Sequence, residues 1–153
     1  MVRLNMAHYA ENRKARFDYE ILEKYEAGIE LLGTEVKSVR SGKMSLEGAF
    51  VIVRGGEAYL INANIPPYQP KNALKDYDPL RNRRLLLTKK EISKLASTEK
   101  NKSLTIVPIL VYNKGRKIKI EIAEVKGKKK RDKRETIKKR ETDREIRREY
   151  KEH

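Results

Sequence analysis

The stretch LTIVPILVYNKGRKIKIEIAEV, residues 104–125, decides the fold. It contains two runs rich in β-branched residues, separated by Asn113-Lys114-Gly115, and such a pair is typical of a β-hairpin. In the second run apolar and charged residues alternate, so one face is predicted to enter a core while the other meets solvent. The inward residues of that run are Ile118, Ile120 and Ile122.

Other strands are predicted on both sides of this hairpin. Residues 49–54 and 57–61 flank Gly55-Gly56, a strong two-residue hairpin signal. Alternating apolar and charged residues predict a long strand from Arg16 to Leu31, in which Gly28 marks a bulge or a close backbone approach.

Two short helices are predicted between the strands. Thr34 is expected to cap the first, which ends before Gly42 as the C′ glycine. Thr88 and Glu91 have the spacing of a capping box, and the second helix is expected to continue to about Ser97. The expected fold is mainly β: a small antiparallel Greek-key barrel of oligonucleotide-binding type, partly open, with two or three short helices and a basic C-terminal tail.

Composition limits the classes of function. The 153 residues carry a formal net charge of +15, which indicates nucleic acid or an anionic surface as partner. The absence of Cys excludes disulfides and thiolate chemistry, and the only histidines are His8 and His153 near the ends. We expect no catalytic residues, no metal and no cofactor. With no apolar run long enough to span a membrane and no signal-peptide pattern, the protein is expected to be cytoplasmic.

The chain is predicted to have three parts: a flexible N-terminus (1–11), an RNA-binding barrel (12–126) and a basic tail (127–153). The tail has 13 Lys or Arg and 7 Asp or Glu, so alone it should be disordered. As a helix it would carry a cationic stripe but no apolar seam, which suits a polyanion as partner; a solvated helix held by charge pairs is the alternative. The stripe consists of Lys133, Arg140, Arg144, Arg147 and Lys151.

Basic residues of the barrel form three groups near turns and strand ends, and together these are predicted to follow a phosphate backbone. Ordinary solubility charge is the alternative for any single residue. Tyr68 and Tyr77, in a proline-rich loop, are candidates for stacking on unpaired bases or for covering a barrel end. The three groups are Arg13, Lys14 and Arg16; Lys37, Arg40 and Lys43; and Arg81, Arg83 and Arg84.

Several segments together resemble one family, the SsrA-binding proteins (small protein B, SmpB). The resemblance is carried by NRKAR at 12–16, YEAGIEL at 25–31, GTEVKSVRSGK at 33–43, DPLRNRRLLL at 78–87 and GKKKRDKR at 127–134. It implies a barrel of oligonucleotide-binding type. It also implies that the protein binds the tRNA-like part of transfer-messenger RNA and delivers it to stalled ribosomes for trans-translation. Independently of the resemblance, we expect a monomeric binding protein and not an enzyme, because the sequence offers no catalytic constellation.

The resemblance also assigns residues. Positions matching the family's RNA-binding residues are Asn12, Lys14, Glu26, Leu86 and Lys119, with Lys37 and Arg40 nearby. Glu26 is expected to accept a hydrogen bond from a base or to orient a lysine, because an acid cannot neutralise a phosphate.

The tail would occupy the empty messenger channel near the decoding site of the small ribosomal subunit. Arg131 replaces the family's usual histidine there, and its guanidinium can also stack. The alternative is a ribosomal or initiation-factor-type barrel that binds ribosomal RNA, and a third class is a small magnesium-dependent nuclease. The tail residues expected to contact the ribosome are Lys128, Lys129, Arg131, Asp132, Lys133, Arg134, Lys138, Arg140, Arg144 and Arg147.

Overall fold

The structure, a computed structural model, describes residues 8–69, 71 and 75–127, which contain seven strands and three helices. In chain order these are β1 (His8–Glu11), α1 (Arg13–Asp18), β2 (Tyr19–Ile29), α2 (Gly33–Arg40), β3 (Phe50–Arg54), β4 (Glu57–Ile61), β5 (Arg83–Leu86), α3 (Lys89–Glu99), β6 (Leu104–Lys114) and β7 (Lys117–Gly127).

All seven strands belong to one antiparallel sheet in the order β1-β6-β7-β2-β5-β4-β3. Among the described residues the two end strands, β1 and β3, do not pair with each other, so the sheet curls without closing by hydrogen bonds. The predicted fold class, a mainly β, partly open barrel of oligonucleotide-binding type, is confirmed.

The two hairpins that the sequence predicts are both present. β6 pairs with β7 from Leu104 opposite Lys126 to Lys114 opposite Lys117. Gly115 in its turn has φ of 63°, a conformation that L side chains rarely adopt. β3 and β4 pair across Gly55-Gly56, in the register set by this two-residue turn.

The main core lies inside the curled sheet, where β7 contributes Ile120 and Ile122. α2 closes it with Val39 and α3 with Leu95. A second, smaller cluster lies beneath α1, where Ala15 and six residues of β6 and β7 are buried. Burial of apolar surface therefore fixes all three helices against the sheet.

The N-terminal part of the barrel differs from the prediction in two ways. The predicted strand from Arg16 begins only at Tyr19, because residues 13–18 form α1. Asn12 caps that helix by accepting a hydrogen bond from the Ala15 amide at 3.1 Å. Residues 8–11, expected to belong to a flexible N-terminus, form β1 and pair with β6.

The two predicted helices are confirmed with different ends. α2 begins after Leu32 rather than Thr34, and the Glu35 carboxylate accepts a hydrogen bond from the Leu32 amide at 2.8 Å. Gly42 follows this helix with φ of 75°. The capping box of Thr88 and Glu91 is present, and α3 continues to Glu99. In the described part of the chain, no helix has the length and hydrophobicity to cross a bilayer.

Candidate RNA-binding surface

A shallow groove with an apolar floor and a basic rim lies at one end of the barrel. Its volume is about 370 Å³, and it is formed where the end of β2 meets α2, β5 and the start of β7. Leu86 lies in it with 46% of its surface exposed, so it adds accessible apolar surface to the groove. The floor is formed by Gly28, Ile29, Leu31, Val36, Leu86 and Ile118, and the cations are Arg40, Arg116, Lys117 and Lys119.

The strand register places the residues of this groove in a row. Gly28 of β2 lies opposite Leu86 of β5 on one side and opposite Lys119 of β7 on the other. Residues directly opposite each other in antiparallel strands share a face of the sheet, so Leu86 and Lys119 flank a position without a side chain. A Cβ added at Gly28 would lie 3.2 Å from the Leu86 Cβ. The missing side chain at Gly28 thus explains both the depression in the surface at this point and the close approach of Leu86 of β5.

Glu26, two residues before Gly28 on the same face of β2, borders this row. Its carboxylate accepts hydrogen bonds from the Tyr112 hydroxyl and, at 3.0 Å, from Lys114 Nζ. These two bonds lower the pKa of Glu26 and keep it ionised, while burial and the same carboxylate raise the pKa of Tyr112. Lys114 is therefore the lysine that Glu26 can orient.

Arg40 fixes α2 at the edge of the groove. Its guanidinium donates at 2.9 Å to the Arg116 carbonyl in the β6–β7 turn, and at 3.5 Å to the Tyr9 hydroxyl of β1. The side chains of Lys37 and Lys43 are exposed on and just after the same helix. The predicted second basic group therefore lies next to the groove.

The third predicted basic group does not present free cations. Arg83 has no accessible surface, so the prediction that it contacts RNA is wrong: it is a core residue. Alternation along β5 explains this, because Leu85 points inward and Arg83, two residues earlier, must do the same. Arg84 is paired with Glu30 and Glu57 at 3.1 Å each.

Glu35 of α2 is the counter-charge that permits Arg83 to be buried. Its carboxylate accepts from Arg83 Nε at 2.9 Å and from Arg81 Nε at 3.0 Å, and the Tyr77 hydroxyl oxygen lies 3.1 Å from it. Burial alone would raise the pKa of Glu35, but the hydrogen bonds from Arg81, the Leu32 amide and Arg83 outweigh burial and lower it. Tyr77 is occupied by this cluster, which leaves Tyr68 as the exposed tyrosine of the loop.

The first basic group lies on α1, outside the residues that line the groove. Lys14 borders a second cavity of about 370 Å³, together with Asp18 and Tyr19 near the C-terminal end of that helix. Tyr19 pairs with Gly127, nine residues along β2 from Gly28. At about 3.3 Å per residue, this end is roughly 30 Å from the groove. Gly127, the last described residue, and the C-terminal end of α1 therefore lie at one end of the barrel, and the groove lies at the other.

The residues of this first group and the neighbouring Asn12 differ in exposure. Asn12 is buried; besides capping α1 it donates at 3.0 Å to the Pro108 carbonyl, so the structure gives it an internal role. The exposed side chains of Arg13 and Arg16 pair with Glu11, and Lys14 lies 4.0 Å from Glu47. Exposed pairs of this kind contribute little energy and exchange readily for phosphates.

The structure thus brings Glu26, Leu86, Lys119 and Arg40 together at the groove, whereas Lys14 and Arg16 do not line it. Among the described residues, no group of three or more His, Cys, Asp or Glu side chains is arranged to hold a metal ion. The predicted contacts of the tail, at residues 128–153, lie outside the described part of the chain. Strand register, which no single segment reveals, is what assembles the groove.

Comparisons with known proteins identify the family to which this chain belongs. The family model described as SmpB protein matches residues 9–152. An SsrA-binding protein of Mesoplasma florum is 53% identical over 93% of this chain and 95% of its own length. One from a Synechococcus species is 51% identical over 96% of both chains.

Solved structures give the same result. A chain from work described as "tmRNA-SmpB: a journey to the center of the bacterial ribosome" has a TM-score of 0.66 and 45% sequence identity. The similarity covers 83% of this chain and 92% of that one. The family model, the relatives and the shared fold therefore agree, and this chain belongs to the SmpB family of SsrA-binding proteins.

Proposed function

We propose that this protein binds the tRNA-like part of transfer-messenger RNA and delivers it to stalled ribosomes for trans-translation. Its action is that of a binding protein in the cytoplasm rather than an enzyme. The curated relatives are named SsrA-binding proteins, and the similar solved chain comes from a study of tmRNA-SmpB in the bacterial ribosome. The observation that carries the proposal is the row of Leu86, Gly28 and Lys119 inside a cationic rim.

The groove suits a folded RNA for chemical reasons. Cations at its rim neutralise phosphates and release counterions, a sequence-independent contribution to affinity. The exposed Leu86 and the flat glycine position accept the apolar face of a base or a ribose. Glu26 holds Lys114 beside the row and offers an acceptor to a base or ribose hydroxyl. A surface with these three elements recognises an RNA shape instead of reading a duplex sequence.

The test is binding of the isolated tRNA-like domain to variants of the full chain. Lys119→Glu and Leu86→Asp should each weaken binding at least tenfold, because each places a negative charge inside the groove. Lys102→Glu, the same charge change at an exposed lysine outside the groove, is the matched control and should change affinity far less. Equal effects from groove and control variants would show that only net charge matters, and would refute the groove as the binding site.

The opposite end of the barrel is proposed to face the ribosome. Gly127, the last residue that the structure describes, pairs with Tyr19 at the C-terminal end of α1, so the predicted tail begins at this end of the barrel. The tail is proposed to enter the empty messenger channel near the decoding site as a helix. Lys14 and Arg16 of α1 stay predicted contacts of the tRNA-like domain, so Lys14→Glu together with Arg16→Glu should weaken binding of that RNA in a gel-shift titration. Unchanged affinity of this variant would refute that prediction.

The alternative, a ribosomal or initiation-factor-type protein, predicts a different stoichiometry. A rescue factor should dissociate from ribosomes at raised salt and copurify with transfer-messenger RNA. A permanent ribosomal component would remain at one copy per particle. Quantifying the protein and the copurified RNA before and after a salt wash therefore separates these two functions.

A further inference from the structure

An exposed tyrosine lies beneath a lysine just beyond α2. Tyr68 keeps 37% of its surface accessible, and Lys43 Nζ lies over its ring, 5.2 Å from the centroid. The same ammonium donates a hydrogen bond to the Tyr68 carbonyl at 3.0 Å. An ammonium has three donors, so further donors remain for an outside acceptor.

The backbone that carries this ring is attached to the barrel at two points. Ser38 Oγ of α2 donates to the Pro66 carbonyl at 2.6 Å. The Tyr77 hydroxyl donates to the Ile65 carbonyl, also at 2.6 Å. Pro66 and Pro67 further restrict the backbone on the N-terminal side of the ring. A ring held in this way loses little conformational entropy on binding a ligand, which favours its use as a platform.

The platform adjoins the basic side of α2 that borders the groove. Arg40 lines the groove, and Lys43 follows only three residues later, a span of at most about 11 Å. Lys37, Arg40 and Lys43 therefore form a continuous cationic path from the groove to Tyr68. An RNA whose backbone follows this path would bring its next nucleotide to the ring.

We propose that Tyr68 and Lys43 form a stacking site for one unpaired base of the RNA that occupies the groove. The base would stack on the ring face opposite the ammonium, while Lys43 contacts a neighbouring phosphate. Because every base has a flat π-face, the site tolerates any base identity and requires only that the base be unpaired. This inference rests on the proposed function and adds a second contact to the same RNA.

The chain contains no tryptophan, so Tyr68→Trp introduces a single fluorescent reporter at the site itself. On titration with the isolated tRNA-like domain, its emission should be quenched with the same midpoint as binding measured by gel shift. Tyr68→Ala should weaken binding about tenfold, within the range that loss of one base–aromatic stack produces. Tyr68→Phe, which keeps the ring, should bind within about twofold of the wild type.

Leu80→Ala is the matched control, because Leu80 is a similarly exposed apolar residue in the same loop region, and its loss should leave affinity unchanged. Circular dichroism melting of each variant checks that the barrel is folded. If Tyr68→Ala does not fold, the quenching titration of Tyr68→Trp alone decides the question.

Three results would overturn the stacking site. The first is unchanged affinity of Tyr68→Ala, and the second is equal weakening by Tyr68→Phe and Tyr68→Ala. The third is quenching of Tyr68→Trp by ribosomes alone, with none by the RNA. These outcomes are distinguishable from failure of the proposed function, in which the wild type itself does not bind the tRNA-like domain.

Discussion

Glu35→Gln should be among the conservative substitutions that destabilise this protein most, although Gln has nearly the same shape as Glu. The carboxylate has no accessible surface and is the counter-charge for Arg83, which also has none. Gln supplies one acceptor oxygen in place of two and turns an amide N–H₂ toward arginine donors. The buried Arg83 cation then keeps its bonds to the Ala63 and Pro79 carbonyls but loses its counter-charge, which costs about 3–5 kcal/mol. Against a typical total of about 5–15 kcal/mol, that loss removes a large part of the stability.

Urea unfolding followed by circular dichroism measures this effect. With a slope of about 2 kcal/mol per molar urea, the midpoint should fall by roughly 1.5–2.5 M. The matched control is Glu30→Gln, which removes the carboxylate that pairs with Arg84 at 3.1 Å on the surface. Because that pair is exposed, its loss should cost less than about 1 kcal/mol. A Glu35→Gln variant no less stable than the control would refute the argument that this buried charge pair supports the fold.

The same substitution has a predicted dependence on pH. The folded-state pKa of Glu35 is lowered, so its contribution to stability is complete above the ordinary carboxyl pKa of about 4.3 and is lost as pH falls through the lower folded value. The difference in unfolding free energy between wild type and Glu35→Gln should therefore be constant near neutrality and shrink below about pH 4. A difference that grows on acidification would contradict the assigned direction of the pKa shift.

Three further predictions concern other parts of the chain. Gly28→Ala should weaken binding of the tRNA-like domain several-fold in a gel-shift titration, because its Cβ would meet the Leu86 side chain at 3.2–3.5 Å and displace it; unchanged affinity would refute the importance of this close approach. Thr88→Ala should lower the unfolding free energy by about 1 kcal/mol, measured by urea titration, since it removes the side-chain cap of α3; a Thr88→Ser variant, which keeps the hydroxyl, should be nearly neutral. Truncation after Lys126 should leave binding of the tRNA-like domain nearly intact and abolish tagging on stalled ribosomes; an affinity loss of orders of magnitude would contradict the proposed division of labour.

The parts of the fold that the sequence predicts are those determined by local chemistry. The Gly55-Gly56 turn, the Thr88 capping box and the alternation from Ile118 to Ile122 each depend on residues within about ten positions of one another. The structure confirms these elements to within a few residues. The sequence did not predict α1, because Phe17 and Tyr19 alternate with other residues as in a strand. The N-terminus of this helix depends on Asn12, whose side-chain amide also donates a hydrogen bond to the distant Pro108 carbonyl.

The candidate RNA-binding surface also has features that local sequence predicts and features that it does not. Local sequence correctly indicates exposed cations on and after α2, but it does not reveal that Arg83 is buried. That fact depends on Glu35, 48 residues earlier, which the packing of α2 brings against β5. A stricter use of alternation would have placed Arg83 inward with Leu85. The row of Leu86, Gly28 and Lys119 depends on strand register, which is set by pairings between distant segments and not by any of the three segments alone.

The geometry of β2 explains why the two proposed binding surfaces need not interfere. Nine residues separate Gly28, in the groove, from Tyr19, which pairs with Gly127, the last residue that the structure describes. β2 pairs with β7 over almost its whole length, so the roughly 30 Å between the two ends cannot stretch or shorten without breaking this ladder. An RNA held in the groove is therefore held at a fixed distance from α1 and from the start of the basic tail. If the tail acts on the ribosome while the groove retains its RNA, this paired strand is the element that sets the spacing between the two partners.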